Sequence, residues 1–345
     1  MSSLPRRSAL LLLSVVMAAT ACAASPRGTT SAASPMPTPS AVGHPVPVRH
    51  YTWPLTGMPA PAPADQPALS IKIDNAPAAR PQSGLNQADL VFDCLVEGGL
   101  SRFFAVFQSQ QAASVGPIRS ARPVDGALLR ALNGGLFAYS GAAAGEIAPA
   151  KAYSTAYLLS NDYDPTPFHR SSSRRAPDNV YASTAGLRAE AARRGAHPGL
   201  PAALFQFGPS VPGSPVATGV TVHLGSQSTA TWRRSGAGYL RSQNGVAQLL
   251  ADGEQVSARN VLVLHVRVVH SGIRDAAGNE DPFVLAYGSG QFELFRDGVV
   301  EHGRWSRPAV TDSFHFLDAM GRSQTFAAGR TWIELVPTTG SVATP

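Results

Sequence analysis

Lysine is almost missing from this chain: Lys72 and Lys151 stand alone in 345 residues, so arginine carries nearly all the positive charge. Charged residues of both signs reach only 14%, against about a quarter in an average soluble protein. Because arginine is used by default, an arginine cluster gains meaning only from its position. Cysteine is scarce too, with Cys22 near the start and Cys94 in an apolar run. If Cys22 is modified, Cys94 cannot form an intramolecular disulfide, and a small buried hydrophobe is its plainer role.

Motifs are also lacking. There is no Walker loop, no dinucleotide fingerprint and no Gly-x-Ser-x-Gly elbow, which excludes only the enzymes that depend on them. His265, His270, His302 and His315 lack metal-ligand spacing, so no metal is assigned. The net charge of +6 and pI near 9.7 invite a nucleic-acid reading, but no basic run or recognition motif supports one. Internal repeats are not evident.

What is present begins with a targeting pattern. Arg6 and Arg7 precede the apolar run Ala9–Ala19, and small residues lead to Cys22. The segment 1–21 reads as a lipoprotein-type signal peptide with Cys22 as the lipidation site, although Ala19 stands where a leucine is usual. Residues 22–49, rich in Ala, Ser, Pro and Thr, form an expected disordered tether. As a random coil it would hold the body roughly 30 Å from its anchor. The expected location is the extracytoplasmic face of the cell membrane.

The stretch Ala68–Arg122 concentrates carboxylates, arginines and turn residues between apolar runs. Leu69, Ile71 and Ile73 alternate with Ser70, Lys72 and Asp74, the period of a strand buried on one face. Leu90, Phe92, Cys94 and Val96 oppose Asp89, Asp93 and Glu97. Gly98-Gly99 follows, then a second alternating run from Arg102 to Gln108, which together read as a β-hairpin, with a helix across 86–97 as the alternative for so short an apolar run. That hairpin brings Arg102 close to Glu97. Pro123 suits the first turn of a helix carrying Leu128, Leu129 and Leu132, which places Arg119, Ser120 and Arg122 just before a helix start, where an anion is favoured.

The candidate anion-binding residues are therefore Arg80, Arg102, Arg119, Ser120 and Arg122, with Asp74, Asn75, Asp89, Glu97 and Asp125 as polar partners. A second polar cluster is Arg170, Arg174, Arg175 and Asn179, beside His169 and Asp178. The plainer reading of the first group is an ion-pair network, with Asp93 included, that orders the loops, and the plainer reading of His169 is a loop histidine.

The blocks IDNAPAARPQSGLNQADLVFDCLVEGGLSRFFAVFQS and VGPIRSARPVD, with the distal GSGQFELFRDG, VEHGRW and AAGRTWIELVP, resemble the YerB-like bacterial lipoprotein family. That resemblance spans nearly the whole body and implies an envelope lipoprotein with two domains of unknown function. Many members of the family carry histidine where this chain has Asp178, which counts against a general base at that position.

Beyond Gly135, Leu136–Tyr139 reads as a strand, Ser140–Gly145 as a turn, and Ser183 or Thr184 as the cap of a helix through Arg194. After Pro209–Pro215 the pattern is β: Val220–Leu224, Thr229–Arg233, Val261–Val269, Phe283–Tyr287, Phe292–Arg296 and Thr331–Val336 are expected strands. Asp297-Gly298 is a hairpin signal. The expected fold class is α+β, with an N-terminal α/β domain at 50–208 and a mostly antiparallel β domain at 209–345. The expected partners are the membrane, through the anchor, and an anionic wall polymer, phosphate-bearing precursor or envelope protein. No cofactor is expected. The rival reading is a metal-assisted enzyme on phosphate-bearing wall or lipid-linked precursors, with Mg²⁺ on Asp74 or Asp89. A protein-interaction scaffold is the third.

Overall fold

The structure, a computed structural model, describes residues 50–274 and 278–344. The expected signal segment, Cys22 and the tether lie outside the described residues.

A mixed sheet of ten strands positions everything else. In chain order they are β1 (Leu69–Asp74), β2 (Leu90–Leu95), β3 (Ser101–Phe107), β4 (Leu136–Tyr139), β5 (Tyr157–Ser160), β6 (Asn260–Val266), β7 (Gly288–Arg296), β8 (Val299–Arg307), β9 (His315–Asp318) and β10 (Thr331–Pro337). Across the sheet they run β9-β8-β7-β6-β10-β2-β3-β1-β4-β5. The late strand β10 lies parallel to both β6 and β2, with Ile333 opposite Leu262 on one side and Phe92 on the other. Strands from both halves of the chain thus share one hydrogen-bonded sheet.

Both faces of that sheet are covered, which corrects the expectation of a first strand buried on one side. Ser70 and Lys72 are fully buried and Asp74 is only 3% exposed. Their face is roofed by helices α1 (Val124–Ala131) and α2 (Ala144–Tyr153), whose Leu128, Leu129 and Ile147 meet Phe104, Val106 and Phe137 of the sheet. The Lys72 ammonium survives there because Asp125 of α1 accepts its hydrogen bond at 2.7 Å, so the buried charge is paired. The alternation therefore separates two kinds of burial rather than inside from outside.

The other face carries Ile71, Ile73, Phe103, Phe107 and Trp332. A smaller antiparallel sheet, formed mainly by Gly219–Gly225, Ser228–Ser235 and Gly238–Gln243, packs on it with Trp232 edge-on to Trp332 at 5.2 Å. Each fully buried side chain of this size contributes about 1.5–3 kcal/mol relative to exposure. Helix α3 (Thr184–Arg193), capped by Ser183 accepting from the Gly186 N–H at 3.0 Å, adds Leu187 and Ala191. The described residues are thus mostly β, with all three α-helices in the first two hundred positions.

Local signals locate most turns. Gly98 and Gly99 have positive φ and join β2 to β3. Asp297 and Gly298, with φ of 52° and 82°, join β7 to β8, the conformation a two-residue hairpin needs. Two readings shift. The expected run Val261–Val269 breaks after β6, and Val268–Arg274 leaves the sheet to pair with Glu280–Val284, which displaces the strand expected at Phe283–Tyr287. Helix α2 has no counterpart in the sequence reading, which takes Ser140–Gly145 as a turn; despite its small residues and internal Pro149 it is helical and packs against α1.

Candidate functional site

The end of β1 and the loop before α1 meet on the helix-covered face. Asp74 stands opposite Arg102 in the β1/β3 register, and the two approach to 3.8 Å. Arg119 donates from Nε to Asp74 Oδ2 at 2.6 Å and lies 3.6 Å from Asp178. The hairpin turn delivers Glu97, which accepts from Arg102 at 3.1 Å and takes both the Nε (2.8 Å) and a terminal nitrogen of Arg122. Arg122 also reaches Glu146 of α2 at 3.0 Å and Asp281 at 3.4 Å. Asp125, in the first turn of α1, accepts from the Arg122 N–H at 2.7 Å as well as from Lys72.

This arrangement brings Arg102, Arg119 and Arg122 together, as the spacing implies, but surrounds them with Asp74, Glu97, Glu146, Asp178 and Asp281. Burial alone would raise the pKa of Asp74; the charges of Arg102 and Arg119 outweigh it and hold the carboxyl below its ordinary value. Glu97 is lowered in the same way, its burial outweighed by the Arg122 hydrogen bond and the Arg102 and Arg122 charges. Asp178 moves up, through burial and then the Asp74 charge. Burial, reinforced by Glu97 and Glu146, pushes Asp281 up to about 7 against the pull of Arg122. Neither Asp281 oxygen receives a hydrogen bond. Ser120 takes part through its carbonyl, which faces Arg102 at 3.5 Å.

Asp89 lies away from this group. It accepts from the Ser109 N–H at 2.8 Å and from the Gln108 N–H, and so fixes the turn after β3. Among the described residues no three His, Cys, Asp or Glu side chains are arranged to hold a metal ion.

The second polar cluster joins the first through its loop. Arg170 bonds Asn179 at 2.7 Å, and Asn179 returns a bond to the Arg174 carbonyl at 3.4 Å. Arg174 donates to the carbonyls of Ala78 and Pro81, at 2.9 and 2.6 Å, on either side of Arg80. Arg175 contributes its backbone carbonyl to the Asp178 N–H at 3.0 Å.

Arg80 differs from the other candidate arginines. Among the described residues it makes no ion pair; its Nε, like that of Arg102, is buried without a hydrogen-bond partner, but Arg102 has Glu97 and Asp74 beside it. Burial and the nearby Arg241 charge hold its pKa below the usual arginine value. It lies on the wall of a cavity of about 380 Å³ formed with Pro81, Gln243, Gln248, Val246, Leu249 and Leu250. The carboxamides behind this wall are already committed. Gln243 Oε1 accepts from Asn75 at 3.0 Å and from Arg241 at 2.7 Å, and Gln248 donates to Gln82 at 3.1 Å.

Sequence reasoning misses Arg241. It is fully buried, donates to Asp93 at 2.6 Å and lies 3.6 Å from Glu334, with its guanidinium over Trp332 at 5.0 Å. Glu334, pushed up to about 8 by burial and the Asp93 charge, shares this enclosure. Nothing local marks Arg241, which sits in an otherwise ordinary alternating strand. Glu146 and Asp281 are missed for the same reason.

Comparison with known proteins bears on the whole body. Residues 55–197 match the domain described as "Protein of unknown function (DUF3048) N-terminal domain", and residues 220–333 match its C-terminal counterpart. The chain belongs to this family. The "Putative lipoprotein YerB" of Bacillus subtilis (strain 168) is 29% identical over 286 residues, covering 78% of this chain and 81% of that protein. The crystal structure of YerB from Bacillus subtilis superposes with a TM-score of 0.72 at 25% identity, covering 85% of this chain and 99% of that one. Both halves of the family pattern thus fall on strands of the shared sheet. No described helix is long and apolar enough to cross a membrane.

Proposed function

We propose that this DUF3048 protein is an envelope lipoprotein, anchored through Cys22 on the extracytoplasmic face of the membrane, that binds an anionic envelope ligand or partner at Arg80. The anchor rests on the sequence before Cys22 and on the name of the YerB relative. The observation that carries the binding reading is Arg80 in a cavity wall, without an ion pair among the described residues and with its Nε buried and lacking a hydrogen-bond partner. Leaving a buried donor unsatisfied costs about 1–3 kcal/mol, and an incoming anion would supply the missing acceptor.

Arg102 and Arg122 fit this role less well, since their charges are already paired with Glu97, Asp74 and Glu146. Their part is to hold the hairpin turn against α1 and α2. Asp74 and Asp89, the residues a magnesium ion would need, face Arg119 and the turn after β3, so the enzyme reading gains no support from the geometry.

The test is a thermal melt of the purified protein with pyrophosphate and with anionic wall-polymer fragments. A ligand at about a hundred times its dissociation constant adds roughly 2.7 kcal/mol to stability. The expected result is a stabilising shift lost in Arg80→Gln and kept in Arg175→Gln. A shift unaltered by Arg80→Gln would remove Arg80 from the site.

A further inference from the structure

The cavity beside Arg80 has two chemically different sides. One side is the guanidinium, with Arg241 behind it as a second buried cation. The carbonyls flanking Arg80 are gripped by Arg174, so the loop that presents the charge is fixed before any ligand arrives. The other side is apolar: Pro81, Ala247 and Leu250 line it, and Val246 and Leu249 stand at its rim, 68% and 48% exposed. These two are among the few large apolar side chains left in water among the described residues. Val246 belongs to a two-residue strand at the edge of the smaller sheet and stands 68% exposed among the described residues. The volume of about 380 Å³ falls within the roughly 300–1,000 Å³ of small-molecule sites.

A fully hydrated anion such as inorganic phosphate would satisfy the guanidinium and leave the apolar side wet. An uncharged hydrocarbon would cover the apolar side and leave Arg80 unsatisfied. One class of ligand matches both sides at once. We propose that the cavity takes an anionic amphiphile, a molecule with one acidic head on Arg80 and an aliphatic chain laid across Leu250, Leu249 and Val246. The inference rests on the anion reading above and names the ligand class for that site.

Isothermal titration calorimetry separates the two ideas, with inorganic phosphate, butyl phosphate, octyl phosphate and octanol as probes, each below its aggregation concentration. Affinity should rise by about fourfold for each methylene that is buried, so octyl phosphate should bind at least about tenfold more tightly than inorganic phosphate and than octanol. Arg80→Gln should weaken octyl phosphate to the level of octanol. Val246→Asn and Leu249→Asn lie on the surface and should keep the wild-type melt while losing the chain-length dependence.

Equal binding of all the phosphates, still dependent on Arg80, would overturn the amphiphile inference and leave the anion reading standing. Equal binding of octanol and octyl phosphate, or no binding by any probe, would overturn both. Sedimentation with vesicles containing phosphatidic acid identifies the source: co-sedimentation lost in Arg80→Gln points to a bilayer lipid, and binding of octyl phosphate without co-sedimentation points to a soluble amphiphile.

Discussion

Arg241 and Asp93 meet at 2.6 Å with neither side chain exposed, the first on the smaller sheet and the second on the central one. The bond ties the two sheets together through a charge pair ringed by Phe103, Trp232 and Trp332. Removing one partner of such a pair leaves an uncompensated buried charge and costs about 3–5 kcal/mol. Arg241→Ala should lose that amount in urea unfolding. The double variant Arg241→Met with Asp93→Leu should recover much of it, since well-packed apolar replacements of buried pairs are often neutral.

Glu334 makes the same enclosure sensitive to pH. Its pKa in the fold, about 8, lies above the ordinary 4.5, so the folded state holds a proton that the unfolded chain releases. The contribution to stability is fully present below the unfolded value and is lost as pH rises through the folded one. Unfolding free energy should therefore fall between pH 4.5 and about 8, and Glu334→Gln should flatten that fall. Urea titrations at a series of pH values read the slope directly.

Arg122 and Arg119 should separate in the same assay. Arg122 is 5% exposed and bonds Glu97 with two nitrogens, whereas Arg119 is 22% exposed and bonds Asp74 through Nε. Arg122→Ala should cost about 3–5 kcal/mol, because Glu146 and Asp281 lose their ion pair and Glu97 keeps only Arg102. Arg119→Ala should cost distinctly less, because solvent screens the more exposed group. An equal loss from both would contradict the role assigned to Arg122 as the clasp between the hairpin turn and the helices.

Gly126 sits inside α1, where helix propensity alone predicts a gain of about 1 kcal/mol on replacement by alanine. A Cβ there would lie 2.4 Å from the Pro149 carbonyl carbon of α2, a backbone atom that cannot swing aside. Overpacking of this kind costs about 1–3 kcal/mol, so Gly126→Ala should melt earlier than wild type. A higher melting temperature would mean that α1 and α2 separate easily.

The two cysteines should behave oppositely. Cys94 is fully buried and burial pushes its thiol up to about 12, so thiol reagents should modify it only after unfolding. Cys22→Ala should abolish incorporation of labelled fatty acid and move the protein from the membrane to the soluble fraction.

Short-range pattern determines the Asp297-Gly298 turn and favours the β2–β3 hairpin with its Glu97–Arg102 approach and a helix cap at Ser183 or Thr184, because each depends on neighbours a few residues apart; the structure selects Ser183. Position before a helix start likewise gathers Arg119 and Arg122. Tertiary structure decides the rest. Lys72 looks like the solvent side of a strand until α1 brings Asp125 over it, and Ala144–Tyr153 becomes a helix through its packing on α1. Glu146 and Asp281 reach Arg122, and Arg241 reaches Asp93, from positions far away in the chain, so no spacing could announce them. The state of Arg80 depends on the same thing: whether a guanidinium is paired is settled by which carboxylates the folded chain brings within reach, and among the described residues Asp74 acts on Arg80 only through its charge, without an ion pair or hydrogen bond.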